Sequence, residues 1–339
     1  MKRWHFWLGL VISAAFLYKA LSGLHLAEVA ETISEAQYLW LIPGVLVYFG
    51  AVWARTWRWH YLLRPLKVVP LRRLFPVVCI GYMGNNVYPA RAGEVIRAYV
   101  LKRKDDVSVS ASLATVIVER IFDGVVMLLF VFASLPFTPM PDWLRQIVVV
   151  FSLLFFGSLA IFFAIAARPA LAQRIYNWFI DRLVPERFRE PARGILDRFM
   201  DGLASLRSGR DVLMVFVTSL VIWLTETVKY WFVMHGFGFT VPFYVLMLMN
   251  GVVNLATTIP SSPGYVGTFD TPGIEVLKAF GVPAEMAAGY TFVLHAALWL
   301  PITLLGAFYM WRESVSWRDF AEARRLREES APADPGPAA

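Results

Sequence analysis

The sequence predicts an all-α, polytopic membrane protein, and three observations carry that expectation. First, the 339 residues are 58% hydrophobic and 17% charged, with a mean hydropathy of +0.56. Soluble domains average about 45–50% apolar and about 25% charged. Second, most apolar residues fall into runs long enough to cross a bilayer, with Lys and Arg massed at alternate ends. Third, two apolar stretches are interrupted by Pro, Gly and polar residues, which suits helices that break inside a protein-lined cavity. Together these predict about six full transmembrane helices plus two oppositely oriented re-entrant helical hairpins, an inverted repeat.

Residues 4–21 form the first span, and residues 24–37 an amphipathic helix on the outer surface, with Leu26, Val29 and Ile33 at helical spacing. Residues 39–57 are the second span. The basic run after it (Arg55, Arg58, Arg64, Lys67, Arg72, Arg73) flags the cytoplasmic side. The first hairpin occupies about 74–101, with a break at 88–93. Residues 111–135 and 144–167 are the third and fourth spans. Between about 168 and 210, two apolar rows recur at three and four residues, separated by Pro185 and Pro191; they read as two amphipathic helices on the cytoplasmic surface. Residues 212–234 form the fifth span. The second hairpin covers about 242–281, with a break at 260–270 and a return leg from Gly264, and residues 287–311 form the last span. The domain reading is a membrane domain at 1–311 and a cytoplasmic tail at 312–339, disordered from about 329. Of the 32 Lys and Arg, 25 are assigned inside, three outside (Lys19, Arg145, Lys278) and four in or at the edge of the membrane (Arg91, Arg97, Arg120, Lys229). Both termini are therefore cytoplasmic.

The site residues follow from the cost of polarity in hydrocarbon. A charge at mid-bilayer costs about 2.5–3.5 kcal/mol on insertion scales, so it faces a partner or a ligand. The first break carries Asn85, Asn86, Arg91, Glu94 and Arg97, and the second Ser261, Ser262 and Gly264. A helix beginning after Pro89 or Pro263 leaves N–H groups free for an anion, and arginine adds bidentate phosphate recognition. With Arg120, these residues are the expected lipid headgroup site. Glu119, Asp123, Glu226, Lys229 and Asp270 are expected to form ion pairs or a polar relay. Glu226 and Lys229 stand three apart on one face, Asp270 can cap its return helix, and His295 reads as a hydrogen-bonded core residue.

Other chemistry is not indicated. Cys79 is the single cysteine, which excludes an intrachain disulfide and a Cys-based metal cluster. The net charge of +7 is distributed around spans, not as a nucleic-acid patch. No nucleophile-elbow, zinc-protease, Walker or dinucleotide motif occurs, and no cofactor or metal is expected.

Three pieces resemble a known family: Gly84-Asn85-Asn86-x-x-Pro89-x-Arg91-x-Gly93-Glu94, Glu119-Arg120-x-x-Asp123, and Pro260-x-x-Pro263-Gly264-x-x-Gly267-x-x-Asp270. Over about 4–311 the chain is similar to the flippase-like integral membrane proteins, also described as the lysylphosphatidylglycerol synthase transmembrane domain family. The resemblance implies a plasma-membrane protein with two re-entrant elements that moves a phospholipid or lipid-linked intermediate between leaflets. In the aminoacyl-lipid synthases a soluble C-terminal domain carries the transferase chemistry; this sequence ends at Ala339 without it, so no transferase activity is expected. Two alternatives stay open. Glu94, Glu119 and Asp123 could serve a membrane-embedded lipid-modifying enzyme, or the basic 168–210 surface could dock such an enzyme or anionic lipid.

Overall fold

The computed structural model describes residues 3–88, 91–137, 168–203, 206, 208–259 and 261–313, with isolated positions between 146 and 164. The fourth predicted span and the tail from 314 lie largely or wholly outside them, as do Pro89 and Pro260. The described residues form twelve α-helices and no strand. They are α1 (Arg3–Leu21), α2 (Leu26–Ser34), α3 (Leu41–Leu63), α4 (Leu71–Val87), α5 (Ala92–Asp105), α6 (Val109–Ser134), α7 (Pro169–Leu183), α8 (Glu186–Gly202), α9 (Gly209–Met234), α10 (Phe243–Ala256), α11 (Asp270–Ala279) and α12 (Ala284–Arg312).

Local chemistry sets the helix starts. Ser108 and Ser208 cap α6 and α9, each accepting a bond from the backbone N–H three residues on. Pro70, Pro185, Pro242 and Pro283 lead into α4, α8, α10 and α12, where a missing N–H costs nothing. Three stretches, Tyr38–Leu63, Gly209–Met234 and Ala284–Arg312, are long and apolar enough to cross a membrane, or four if α1 and α2, bent by 86°, count as one. α6 matches the predicted third span in position, but its interior carries three charges.

Two apolar clusters occupy opposite ends of the bundle. One gathers Trp59, Leu62 and Leu63 at the end of α3, Val77 and Ile80 of α4, Val100 and Leu101 of α5, and Val215 near the start of α9. The other gathers Val233 and Met234 at the end of α9, Val245 and Met249 of α10, Ile274 and Leu277 of α11, and Ala287 and Tyr290 near the start of α12. α4 and α5 pack together as one helical hairpin in the first cluster, and α10 and α11 as another in the second. Their tips adjoin, with the turn at Pro263–Tyr265 packed against α4. α3 and α9 pack against each other, α4 lies on α12, and α10 lies on α6.

Glycine sets how tightly the first hairpin closes. A Cβ on Gly84 would lie 2.8 Å from the Gly93 Cα, and one on Gly93 would collide with the Gly81 carbonyl and the Asn85 amide. The two legs therefore touch backbone to backbone, as only glycine permits. The second hairpin differs from expectation. Its return helix begins at Asp270, not near Gly264, because the chain first winds through a 3-10 turn at Pro263–Tyr265 with Gly264 and Gly267 at positive φ. The two amphipathic helices of 168–210 form as α7 and α8. Gly202 presses on Ala111 and Ala114 of α6, while Trp178, Phe179, Leu183 and Phe188 stay exposed.

Gly93→Ala should destabilise the protein by about 1–3 kcal/mol or more through overpacking. Gly50→Ala, where an added Cβ meets nothing within 4 Å, should not. Thermal unfolding of the two variants in detergent checks this.

Candidate functional site

An ion lattice lies inside the bundle. α3 contributes Arg55 and Arg58, three residues apart on one face, and both are buried (6% and 1% exposed). Arg58 donates to Asp123 Oδ1 at 2.6 Å and to Ser219 at 2.6 Å, and its Nε stands 3.9 Å from Glu119. Trp223 Nε1 donates to the same Asp123 oxygen at 2.8 Å. Arg97 of α5 donates to Glu119, and its guanidinium lies 4.5 Å from the Trp59 ring centre. On α9, Glu226 accepts from both Arg55 and Lys229, and the Lys229 ammonium faces the Tyr48 ring at 4.6 Å. Buried charges persist where partners replace water, and these have partners from four helices.

Above the lattice, the hairpin tips enclose a cavity of about 140 Å³. Asn85, Asn86 and Arg91 line it from the first tip, Thr257, Gly264 and Tyr265 from the second, and Arg55, Arg120, Trp223, Glu226, His295 and Trp299 from the surrounding helices. Asn86 donates to Thr303 at 2.8 Å, and Arg91 reaches the Thr257 carbonyl at 3.4 Å. The Arg91 guanidinium lies 5.9 Å from the Tyr265 ring centre. Arg91 and Tyr265 are both left-handed, at φ 53° and φ 60°. Non-glycine residues hold that conformation at a cost of about 1–3 kcal/mol and gather at functional sites.

The cations of the cavity are unequally committed. Arg120 Nε stands 3.6 Å from Glu94 Oε1 and its Nη2 3.4 Å from Asp123, and both Arg120 Nε and Glu94 Oε1 are buried without a hydrogen-bond partner among the described residues. Arg91 stands 3.7 Å from that same Glu94 oxygen. Six cations converge here (Arg55, Arg58, Arg91, Arg97, Arg120, Lys229) against four carboxylates (Glu94, Glu119, Asp123, Glu226), an excess of two positive charges. Asp270 belongs to a separate pair with His295. The His295 Nδ1 meets Asp270 Oδ1 at 2.8 Å and its Nε2 meets the Gly264 carbonyl at 2.7 Å. Both ring nitrogens therefore face acceptor oxygens.

The predicted site residues separate into groups. Asn85, Asn86, Arg91, Arg120, Gly264 and Glu226 line the cavity. Glu94 and Arg97 line a smaller adjoining space with Asn85 and Arg120. Glu119 and Asp123 lie in the ion lattice, and Lys229 points toward Tyr48 and Tyr230. Ser261 is buried away from the cavity lining. Ser262 turns to Ser13 of α1, accepting from its hydroxyl and donating its N–H, each at 2.9 Å. Three expectations are corrected. Arg55 and Arg58 are interior residues, not surface charges, because α3 runs on to Leu63 and turns them inward. Asp270 does not cap α11: Phe269 holds that position, and the Asp270 carboxylate turns back to the Gly267 N–H at 2.8 Å. No α-helix starts directly after Pro263: a 3-10 turn comes first and α11 begins at Asp270, so the second tip presents Thr257, Gly264 and Tyr265 to the cavity where helix amides were expected.

The aromatic wall of Tyr48, Tyr82, Trp223, Tyr230, Tyr265 and Trp299 has no distinct signal in the sequence, since aromatic residues abound throughout the chain. For Arg55 and Arg58 a signal existed: three-residue spacing on a span with no acid of its own.

Fold and site define an integral, multi-pass helical membrane protein with a positively charged cavity between two helical hairpins. The chain belongs to the family described as the lysylphosphatidylglycerol synthase TM region, whose model matches residues 6–306. A UPF0104 membrane protein of Methanothermobacter thermautotrophicus is 23% identical over 324 residues, covering 91% of this chain and 93% of the relative. The UPF0104 membrane protein MJ1595 of Methanocaldococcus jannaschii is 21% identical over 317 residues, covering 89% and 93%. Glycosyltransferase AglD of Haloferax volcanii is 25% identical over 309 residues, 83% of this chain and 50% of that protein. No solved structure matches the chain.

Arg58→Met leaves Asp123 short of its main partner and should cost about 3–5 kcal/mol, as orphaned buried charges do. Arg58→Met with Asp123→Leu should cost less than the two single changes summed. A double-mutant cycle on unfolding in detergent measures the difference.

Proposed function

We propose that this protein carries the head of an anionic phospholipid or lipid-linked intermediate between leaflets. The observation that carries the reading is the cavity where the two hairpin tips meet, with three arginines on its wall and an excess of positive charge around it. The head occupies the cavity while the tails stay in lipid.

On this reading both hairpins are re-entrant and open on opposite leaflets, within six full spans, in a plasma membrane with both termini cytoplasmic. Helix length supports it: at 1.5 Å per residue, α4, α5, α10 and α11 extend about 15–26 Å, short of the roughly 30 Å hydrocarbon core. The exposed apolar faces of α7 and α8 suit the membrane surface. The partners are then lipids, with a lipid-modifying enzyme as a further candidate.

Transport is favoured over chemistry on two grounds. Glu94, Glu119 and Asp123 each stand against arginine rather than pairing with one another as acid and base. The family's description and one relative's name also speak of different enzymes, a lysylphosphatidylglycerol synthase and a glycosyltransferase. A membrane region shared by different chemistries suits handling of the lipid.

In proteoliposomes, the wild-type protein should equilibrate a fluorescent anionic phospholipid between leaflets well above the protein-free rate. Arg91→Ala should fall toward that background while retaining its melting temperature, since Arg91 makes only long contacts. Wild-type flux no higher than that of Arg91→Ala would refute the reading, and lipid conversion seen by mass spectrometry would replace it with an enzymatic one.

A further inference from the structure

Glu94 holds a position that a ligand would be expected to hold. Its Oε1 stands 3.7 Å from Arg91 and 3.6 Å from Arg120, yet it is buried with no hydrogen bond among the described residues. Arg120 Nε is likewise buried and unbonded, and Arg91 makes one long bond to a carbonyl. Each guanidinium has five N–H donors arranged to grip an oxyanion. Two such groups therefore face one carboxylate oxygen too distant to satisfy either. Charge and size narrow what would satisfy them. The cavity wall itself carries three arginines (Arg55, Arg91, Arg120) against one carboxylate (Glu226). The cavity of about 140 Å³ has room for a compact anionic group. A phosphate group has five non-hydrogen atoms, and as a monoester it carries close to two negative charges near neutral pH.

We infer that the head taken by this site is a phosphate monoester on a lipid tail, and that Glu94 is a built-in anion which the phosphate displaces from Arg91 and Arg120. The inference rests on the translocation reading above and names its substrate class. A phosphodiester head carries one charge less and a bulkier substituent. A cationic aminoacylated head meets like charge on the cavity wall. The tail has a place at the tips, where Val87, Ile259 and Val266 are exposed beside cavity-lining neighbours. Those three favour a lipid over free phosphate.

The test titrates the purified full chain with four probes: dioleoyl phosphatidic acid, dioleoyl phosphatidylglycerol, a dioleoyl lipid with a trimethylammonium head, and inorganic phosphate. Native mass spectrometry reads the lipids and equilibrium dialysis the phosphate. Phosphatidic acid should bind about tenfold or more tighter than phosphatidylglycerol, the scale of one charge-assisted hydrogen bond. The cationic lipid should not compete. Glu94→Gln should bind phosphatidic acid about tenfold tighter than wild type, because the competing charge is gone. Arg91→Gln should bind it at least tenfold more weakly. Weaker binding by a folded Glu94→Gln would show that Glu94 merely positions the arginines, and would overturn the displacement. Equal affinity for the monoester and diester lipids would overturn the substrate class while leaving translocation standing. Inorganic phosphate binding as tightly as phosphatidic acid would overturn the lipid assignment. Absence of flux for every lipid in vesicles would instead refute translocation itself.

Discussion

The grip of Asp123 and Glu119 on Arg58 and Arg97 is the contact on which the interior depends. It joins α3, α5 and α6, and Trp223 and Ser219 bring in α9 at the same point. In an apolar bundle such groups cannot fall back on water, so each helix is held in rotation as well as in depth. That accounts for α6, whose three interior charges would be prohibitive facing lipid. Its apolar side still packs, since Val126, Met127 and Phe130 form a small cluster with Trp223 one to two turns beyond the charges.

The lattice also divides the labour among the arginines. Arg58 and Arg97 each hold a carboxylate at hydrogen-bonding range and do not line the main cavity. Arg91 and Arg120 lie nearer the opening and remain partly free. Arg55 stands between these roles, bound to Glu226 yet lying 4.9 Å from the Trp223 ring centre on the cavity wall. Structural and ligand-facing charge thus adjoin with little insulation, so changes to one are felt by the other.

Much of the architecture was legible because hydrocarbon is an unforgiving solvent. The stretches Tyr38–Leu63, Gly209–Met234 and Ala284–Arg312 declare themselves by length, and Asn85, Asn86, Arg91 and Arg120 stand out as polar groups in apolar sequence. The illegible parts depend on tertiary direction. A basic residue near a span end reads the same whether it points outward or inward, and for Arg55 and Arg58 the deciding carboxylates lie 171 and 65 residues further along the chain. The Asp270 turn was obscured for a different reason. Gly264 and Gly267 signal a break, but nothing local says that the helix resumes only at Asp270. The aromatic wall was hidden by abundance, since 15% of the chain is aromatic.

The seam of Gly81, Gly84 and Gly93 bears on how the protein can move. Legs in contact along their main chains have no side-chain layer between them to slide or compress, so α4 and α5 must travel together. The second hairpin is held to α1 in two ways: Gly267 packs on the main chain at Ser13 and Leu17, and hydroxyls bond Ser13 to Ser262 and Thr271 to the Phe16 carbonyl. Hydroxyl bonds of that kind can be exchanged one at a time, whereas a glycine seam parts all at once or stays shut. Main-chain contact thus makes α4 and α5 one rigid block, while the second hairpin shares its anchorage with α1.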